Sequence, residues 1–355
     1  MVLLKMDLMP NITLLVDYKS HFGSKYDAVP YRSGFDKELL TQEFKNHGIE
    51  IVFLPFSEVD FSVNWKGKIV LYTSSEDKDV LYKSYIEDVV YGLELAGANV
   101  IPNYRFLRAH NNKVFMEILR DSSYPETSFP RSRYFGSFEE LKQMVELNQI
   151  EFPCVLKTGS GAMSKGVRKA ENADELLDIA KKLCSTKQFT SDVKEIVRAH
   201  RHQGYVQESS WRRKFIVQPL VQGLSNDWKL LIFGNKIFTL KRGIRKNDFR
   251  ASGSHTDYRA GSESGVTPEM LDFAYGIFKK MNVPMLSFDL ANDGERNYMI
   301  EYQALYFGTS TINMSNDYYE RDDRGEWVVK KKSSDTIESL YAESVYSYLK
   351  DKQLI

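Results

Sequence analysis

Cysteine is nearly missing from this chain: 355 residues hold two, Cys154 and Cys184. That excludes a small extracellular scaffold stapled by disulfides. Cys154 stands in an apolar strand-like run and Cys184 late in a helix-like run, so both read as reduced packing residues. An excess of charge is missing too, since 48 Lys and Arg balance 48 Asp and Glu. A dedicated duplex binder carries a basic excess, so nucleic acid is not expected as a partner. No apolar run reaches membrane-spanning length, and the opening "MVLLKMDLMPNITLLVDY" is broken by Lys5, Asp7 and Pro10. Neither a membrane partner nor a secretory segment is expected, which makes the cytoplasm the default location. A Ser-His-Asp or Cys-His signature is absent, and His200 and His202 lie in a basic stretch without a cysteine or acidic cluster, so no zinc site is expected there. No repeat or low-complexity tract stands out.

What is present is the composition of a folded protein, 42% apolar and 27% charged, with 21 Tyr and 21 Phe. The length suits two or three domains. Strand-like and helix-like runs alternate over the first ~105 residues. "ITLLVDY" (12–18), "IEIVFLPF" (49–56), "KIVLYTS" (68–74) and "NVIPNY" read as strands. "KELLTQEFKNHG" (37–48) and "SYIEDVVYGLELAGA" (84–98) read as helices stopped by Gly48 and Gly97. Such alternation predicts a small, mostly parallel α/β domain.

Beyond it, 111–121, 138–148 and 172–183 read as helices, the last with Asn172 at its N-cap and Glu175 three residues on. Residues ~186–214 are basic and polar and read as an insertion or mobile segment. "WKLLIFGNKIFTLKR" (228–242) reads as two strands joined at Gly234-Asn235. "TPEMLDFAYGIFKKMN" (267–282) is an amphipathic helix with Pro at its first position. "VVKKKSSD" (328–335) reads as a solvated turn before a last helix, and the tyrosine-rich ends are a candidate homodimer surface.

"FPCVLKTGSGAMSKGV" (152–167) has the look of a phosphate loop. A P-loop needs GxxxxGK and then Ser or Thr. Counting from Gly161, Gly166 is followed by Val167 and Arg168; counting from Gly159, Ser164 stands where the glycine should be. The dinucleotide fingerprint fails on Ser164 as well, and strand-like sequence follows where a helix is needed. What remains is strand, glycine-rich turn, strand, with Lys157 at the end of the first strand. Such a turn either forms an anion-binding nest that closes over phosphates or is a plain surface hairpin.

A second feature lies about 130 residues on. In "LSFDLANDGERNYMIEYQ" (286–303) the hairpin centre near residue 294 places Asp289 and Glu301 nearly opposite. Alternation puts Met299, Glu301 and Gln303 on one face and Tyr298, Ile300 and Tyr302 on the other. Two facing carboxylates repel unless a cation neutralises them. With the Gln303 amide they form a hard oxygen set suited to Mg²⁺ or Mn²⁺; a solvated acidic face, or pairing with one of the nearby lysines and arginines, is the other reading. Lys229 shares a face with Leu231 and Phe233, Lys241 and Arg242 end the second hairpin strand, and Arg250 stands in a loop of small residues.

In this order the parts resemble the ATP-grasp superfamily, over roughly residues 100–315. The resemblance implies an N-terminal pre-ATP-grasp α/β domain (1–105), a central or lid subdomain with a glycine-rich flap (106–215) and a C-terminal subdomain with the metal site (216–355). It implies ATP bound by Lys113, by Lys157, by the flap at Ser160, Gly161 and Ala162, and by a hinge at Gln218, Pro219 and Leu220. Mg²⁺ would be held by Asp289, Glu301 and Gln303, the last standing where the family has Asn. Lys229, Lys241 and Arg250 would be the catalytic and phosphate-facing cations. The hinge lacks the family's acidic residue, and Asp227 is the candidate for the ribose. The implied activity is an ADP-forming carboxylate–amine ligase acting on small-molecule or peptide substrates. A kinase with the same site and a nucleotide-binding module without turnover are the alternatives.

Overall fold

The computed structural model describes residues 10–127, 130–161, 166–246, 248–251, 253–254 and 256–355. The chain begins with β1 (Asn11–Val16), α1 (Lys37–Asn46), β2 (Glu50–Pro55), β3 (Ile69–Tyr72), α2 (Leu81–Leu95) and β4 (Asn99–Ile101). The strands form one sheet in the order β2-β1-β3-β4, with every pairing parallel. β1 and β3 are almost wholly buried because helices cover the sheet, as a parallel sheet requires. Asp36 caps α1 by accepting from two backbone N–H groups, and Leu40 and Phe44 are its buried stripe.

Two helices follow, α3 (Tyr104–Ala109) and α4 (Lys113–Ser123). Next come β5 (Arg133–Phe135), α5 (Phe138–Glu146), β6 (Cys154–Thr158), β7 (Val167–Ala170), α6 (Ala173–Leu183), α7 (Phe189–Arg201) and β8 (Phe215–Pro219). The four strands form an antiparallel sheet in the order β5-β8-β6-β7. Both cysteines are free and buried in its core, packed with Leu156, Ala170 and Phe215. The basic stretch expected to be an insertion or mobile segment contains α7, whose turns place Val193, Ile196 and Val197 on one exposed side.

The rest builds a larger sheet: β9 (Asn226–Phe233), β10 (Lys236–Gly243), β11 (Arg259–Ala260), α8 (Pro268–Met281), β12 (Met285–Asn292), β13 (Asn297–Gln303), α9 (Ser310–Met314), β14 (Asp317–Arg321), β15 (Trp327–Lys331) and α10 (Ile337–Asp351). The order is β13-β12-β9-β10-β14-β15, with β11 on β10. Residues 328–331, expected within a solvated turn, instead belong to the edge strand β15, whose lysines suit an exposed edge. β8 pairs within the small sheet, so 216–219 join that sheet and not the large one.

One face of the large sheet, through Trp228, Leu230, Phe288, Leu290, Met299 and Tyr302, lies in a core shared with α8. On the other face, Leu231, Phe233, Phe238 and Met285 are covered by residues of α10 and the parallel sheet. Farther along the same strands that face turns polar, at Asp227, Lys229, Arg242 and Asp289, where it opens into a cleft.

Candidate active site

The cleft encloses about 350 Å³ between the large sheet, the small sheet and the start of α4. Eleven residues singled out from the sequence line it: Lys113, Lys157, Gly161, Gln218, Pro219, Leu220, Lys229, Arg250, Asp289, Glu301 and Gln303.

The acidic hairpin owes its geometry to an irregularity. Asn292 pairs with Asn297 and Leu290 with Met299, but Asp289 pairs with Glu301, so Ile300 is the extra residue of a bulge. Continuous register would set Asp289 opposite Ile300 and aim Glu301 at the other face. The bulge turns Glu301 to the cleft, as bulges beside sites do. The simple alternation is corrected accordingly: Met299 is buried beside Leu290 on the core face, not beside Glu301.

Asp289 also pairs with Lys229 across β9, whose Nζ is 4.0 Å from Oδ1. Arg242 Nη2 lies 2.9 Å from Asp289 Oδ2. The same guanidinium donates to Asp227 Oδ1 at 2.6 Å and Oδ2 at 2.8 Å. Burial pushes the Asp289 carboxyl up, but Arg242 and Lys229 more than offset this and hold its pKa below the usual carboxylate value. Asp289 Oδ1 is buried and accepts no hydrogen bond among the described residues. Across the cleft, Lys113 Nζ donates to Glu301 Oε2 at 2.9 Å.

Two sequence expectations are corrected here. Lys241 does not line the cleft: it pairs with Trp228 and Arg259, and Trp228 belongs to the core face. Arg242, one residue on and opposite Asp227, is the cation that faces the site. Asp227 is not poised for a ribose, because its carboxylate is clamped by Arg242 on both oxygens.

The glycine-rich turn is packed around Thr158. Its Oγ1 donates to the Ser160 carbonyl at 2.9 Å, and a Cβ on Gly166 would fall 1.8 Å from that Oγ1. Gly161, at φ +127°, offers its N–H to Asn111 Oδ1 at 3.0 Å. Ser160 is exposed and off the cleft wall, unlike Gly161, and Ala162 lies outside the described residues. The Lys113 N–H donates to the Gly159 carbonyl at 2.7 Å, which ties the turn to the start of α4. Lys157 is half-buried beneath it; burial lowers its pKa, with Glu117 opposing the shift and Lys113 adding to it.

At the expected hinge, the Gln218 side chain turns inward. Its Nε2 donates to Glu117 Oε2 at 3.0 Å and to Ser132 Oγ at 2.7 Å. Arg120 Nη2 sits 2.6 Å from the same Glu117 oxygen. Gln218 therefore fastens β8 to α4. The Leu220 N–H donates to the Pro153 carbonyl at 3.0 Å. Arg250 is gripped by Asp248 through Nε and Nη2, both at 2.9 Å, which pushes the Asp248 carboxyl down to about 2. After β13, Phe307 is core, packed on Phe233, and Thr309 accepts the Tyr26 N–H.

The residues present fit a divalent cation. The orphaned Asp289 Oδ1 and the facing Glu301 carboxylate are hard donors set among cations that already neutralise part of their charge. A group of three or more His, Cys, Asp or Glu placed to hold a metal is not found among the described residues, so any further donors are the Gln303 amide, water and phosphate. No helix among the described residues is long and apolar enough to cross a membrane.

No protein-family model and no curated protein matches the chain. Solved structures do. The D-cycloserine synthetase DcsG is similar over 96% of this chain and 99% of its own, at 11% identity and TM-score 0.52. A RiPP-associated ATP-grasp ligase of Chryseobacterium gregarium, in complex with ADP and a leader and core peptide, is similar over 97% of each chain, at 12% identity and TM-score 0.52. A RimK-domain ATP-grasp protein of Sphaerobacter thermophilus aligns over 94% of this chain at 14% identity and TM-score 0.48. A parallel sheet, a small antiparallel sheet and a large sheet, matched end to end across so little shared sequence, identify the architecture of this chain as the ATP-grasp fold.

Proposed function

We propose that this chain is an ATP-dependent ligase that activates a carboxylate as an acyl-phosphate for attack by an amine, releasing ADP and phosphate. The observation that carries this reading is the buried Asp289 Oδ1, without a hydrogen bond, opposite Glu301 and ringed by Lys113, Lys229 and Arg242. Carboxylates and cations in such alternation suit a polyphosphate accompanied by a metal ion. Asp289 and Glu301, with the Gln303 amide, would hold Mg²⁺ or Mn²⁺, which supplies positive charge against the phosphate oxygens. Two of the similar structures, a synthetase and a ligase bound to ADP, support the same reading.

Lys113 and Lys157 would neutralise phosphate oxygens from the side of α4 and β6. Lys229 and Arg250 would face the charge that develops on the acyl-phosphate and on the tetrahedral adduct that follows. Arg242 would hold Asp289 ionised and in place. The main chain at Pro219 and Leu220, with Met116, Val155 and Ile300 beside it, offers an apolar slot for the base. No enzyme nucleophile is required.

Product analysis tests this reading. Substrates are first sought by thermal shift with Mg-ATP and a library of carboxylic acids and amines, because ligands raise stability according to their binding. The active pair is expected to yield ADP and phosphate in equal amounts with an amide. AMP and pyrophosphate, or a stable phosphorylated product without free phosphate, would contradict it.

A further inference from the structure

Four carboxylates line the cleft: Glu76, Asp227, Asp289 and Glu301. Three stand on the large sheet, each beside an Arg or Lys within 4.0 Å. Glu76 differs on both counts. It comes from the opposite wall, in the loop after β3 of the parallel sheet, and among the described residues the group in ion-pair range of its carboxylate is a histidine, His110.

His110 is fully buried at the end of α3, and its Nε2 lies 3.5 Å from Glu76 Oε1. Its Nδ1 is 2.9 Å from Ser74 Oγ, and its ring stands edge-on to Tyr306 with centroids 5.7 Å apart. A Ser74 hydroxyl donating to Nδ1 leaves the ring proton on Nε2, directed at Glu76. Among the described residues Nε2 has no hydrogen-bond partner, and Glu76 at 3.5 Å is its ion-pair contact. The imidazole thus backs the carboxylate from the protein side, while the Glu76 side chain stays 37% exposed toward the cleft. Burial pushes the Glu76 carboxyl up, but His110, Lys113 and Lys229 more than offset this and keep it ionised at neutral pH.

An anion in this position repels both phosphate and a carboxylate substrate. Its natural counterpart is a cation arriving from the side of the parallel sheet. We infer that Glu76, positioned by His110 and Ser74, receives the ammonium group of the amine substrate and so sorts the acceptor from the donor acid by charge. This rests on the ligase reading above.

The test is a competition between two nucleophiles with the purified chain, Mg-ATP and a panel of carboxylic acids that carry no amino group. Hydroxylamine, uncharged at neutral pH, traps an acyl-phosphate as hydroxamate, and a panel of primary alkylamines competes with it, arriving as ammonium ions that give up a proton to water before the nitrogen attacks and phosphate leaves. In Glu76→Gln the ratio of amide to hydroxamate is expected to fall by about tenfold or more, the scale of one charge-assisted hydrogen bond. Glu76→Asp, which keeps the charge, is expected to recover part of the ratio, which a loss of folding would not produce. A ratio unchanged within about twofold in Glu76→Gln overturns the inference while leaving the ligase reading standing. Loss of hydroxamate as well as amide in both variants overturns it too, because Glu76 would then serve the acid or the nucleotide. If the wild-type chain forms neither product, the ligase reading itself fails and this inference with it.

Discussion

Asp289→Asn is expected to lower Mg-dependent ADP formation by roughly a hundred- to a thousandfold, the usual scale for removing one preorganised charge partner at a reacting centre. The substitution keeps the side chain's shape and removes the charge of the oxygen that no hydrogen bond satisfies. It should spare the fold, because Arg242 keeps its two-oxygen grip on Asp227 and Lys229 reaches the cleft. ADP release under saturating Mg-ATP, with urea unfolding on the same samples, separates the two effects. A variant with wild-type turnover would remove Asp289 from the reaction.

Arg242→Ala should instead strike stability. One guanidinium serves two buried carboxylates, so its removal leaves Asp227 without its ion pair and Asp289 with Lys229 at 4.0 Å. Breaking such a buried pair costs about 3–5 kcal/mol. The neighbouring Lys241→Ala is expected to stay within about 0.5 kcal/mol, as substitutions away from buried networks do. Urea midpoints of the two variants read this contrast directly. Equal midpoints would mean that the Arg242 cluster is not the clamp its distances indicate.

The contrast between Arg242 and Lys241 also shows how far the sequence could be read. The two-residue turn at Gly234-Asn235 was legible, and with Phe233 opposite Lys236 it sets Asp227 opposite Arg242. Carrying that register to the strand's end would have chosen Arg242. The ATP-grasp resemblance points to the lysine, without regard to the face it occupies. The acidic hairpin was legible as a hairpin, but the bulge at Ile300 was not, because nothing in "NYMIEYQ" marks an extra residue. Glu301 reached the correct face by a route that simple alternation does not describe.

Helix and strand types followed from apolar periodicity for α1, α2, α8 and the β9-β10 and β12-β13 hairpins, but not for the short α3 and β5, which are too brief to show a period although Phe106 and Phe135 are buried. Periodicity misled where it competed with charge: α7 and β15 carry many Lys and Arg, and their burial is partial. Contacts across the chain were out of reach of spacing altogether. Lys113 and Glu301 are 188 residues apart, and only the ATP-grasp resemblance placed them together. Glu76 and His110 carry no motif at all and meet because the loop after β3 runs past the end of α3.

The most direct measurement is a crystal structure with ADP and Mn²⁺, recorded at a wavelength where manganese scatters anomalously. The expected result is an anomalous peak between the carboxylates of Asp289 and Glu301, with the diphosphate reaching toward Lys113 and Lys157. A peak elsewhere, or a nucleotide bound outside the cleft between the small and large sheets, would contradict the account.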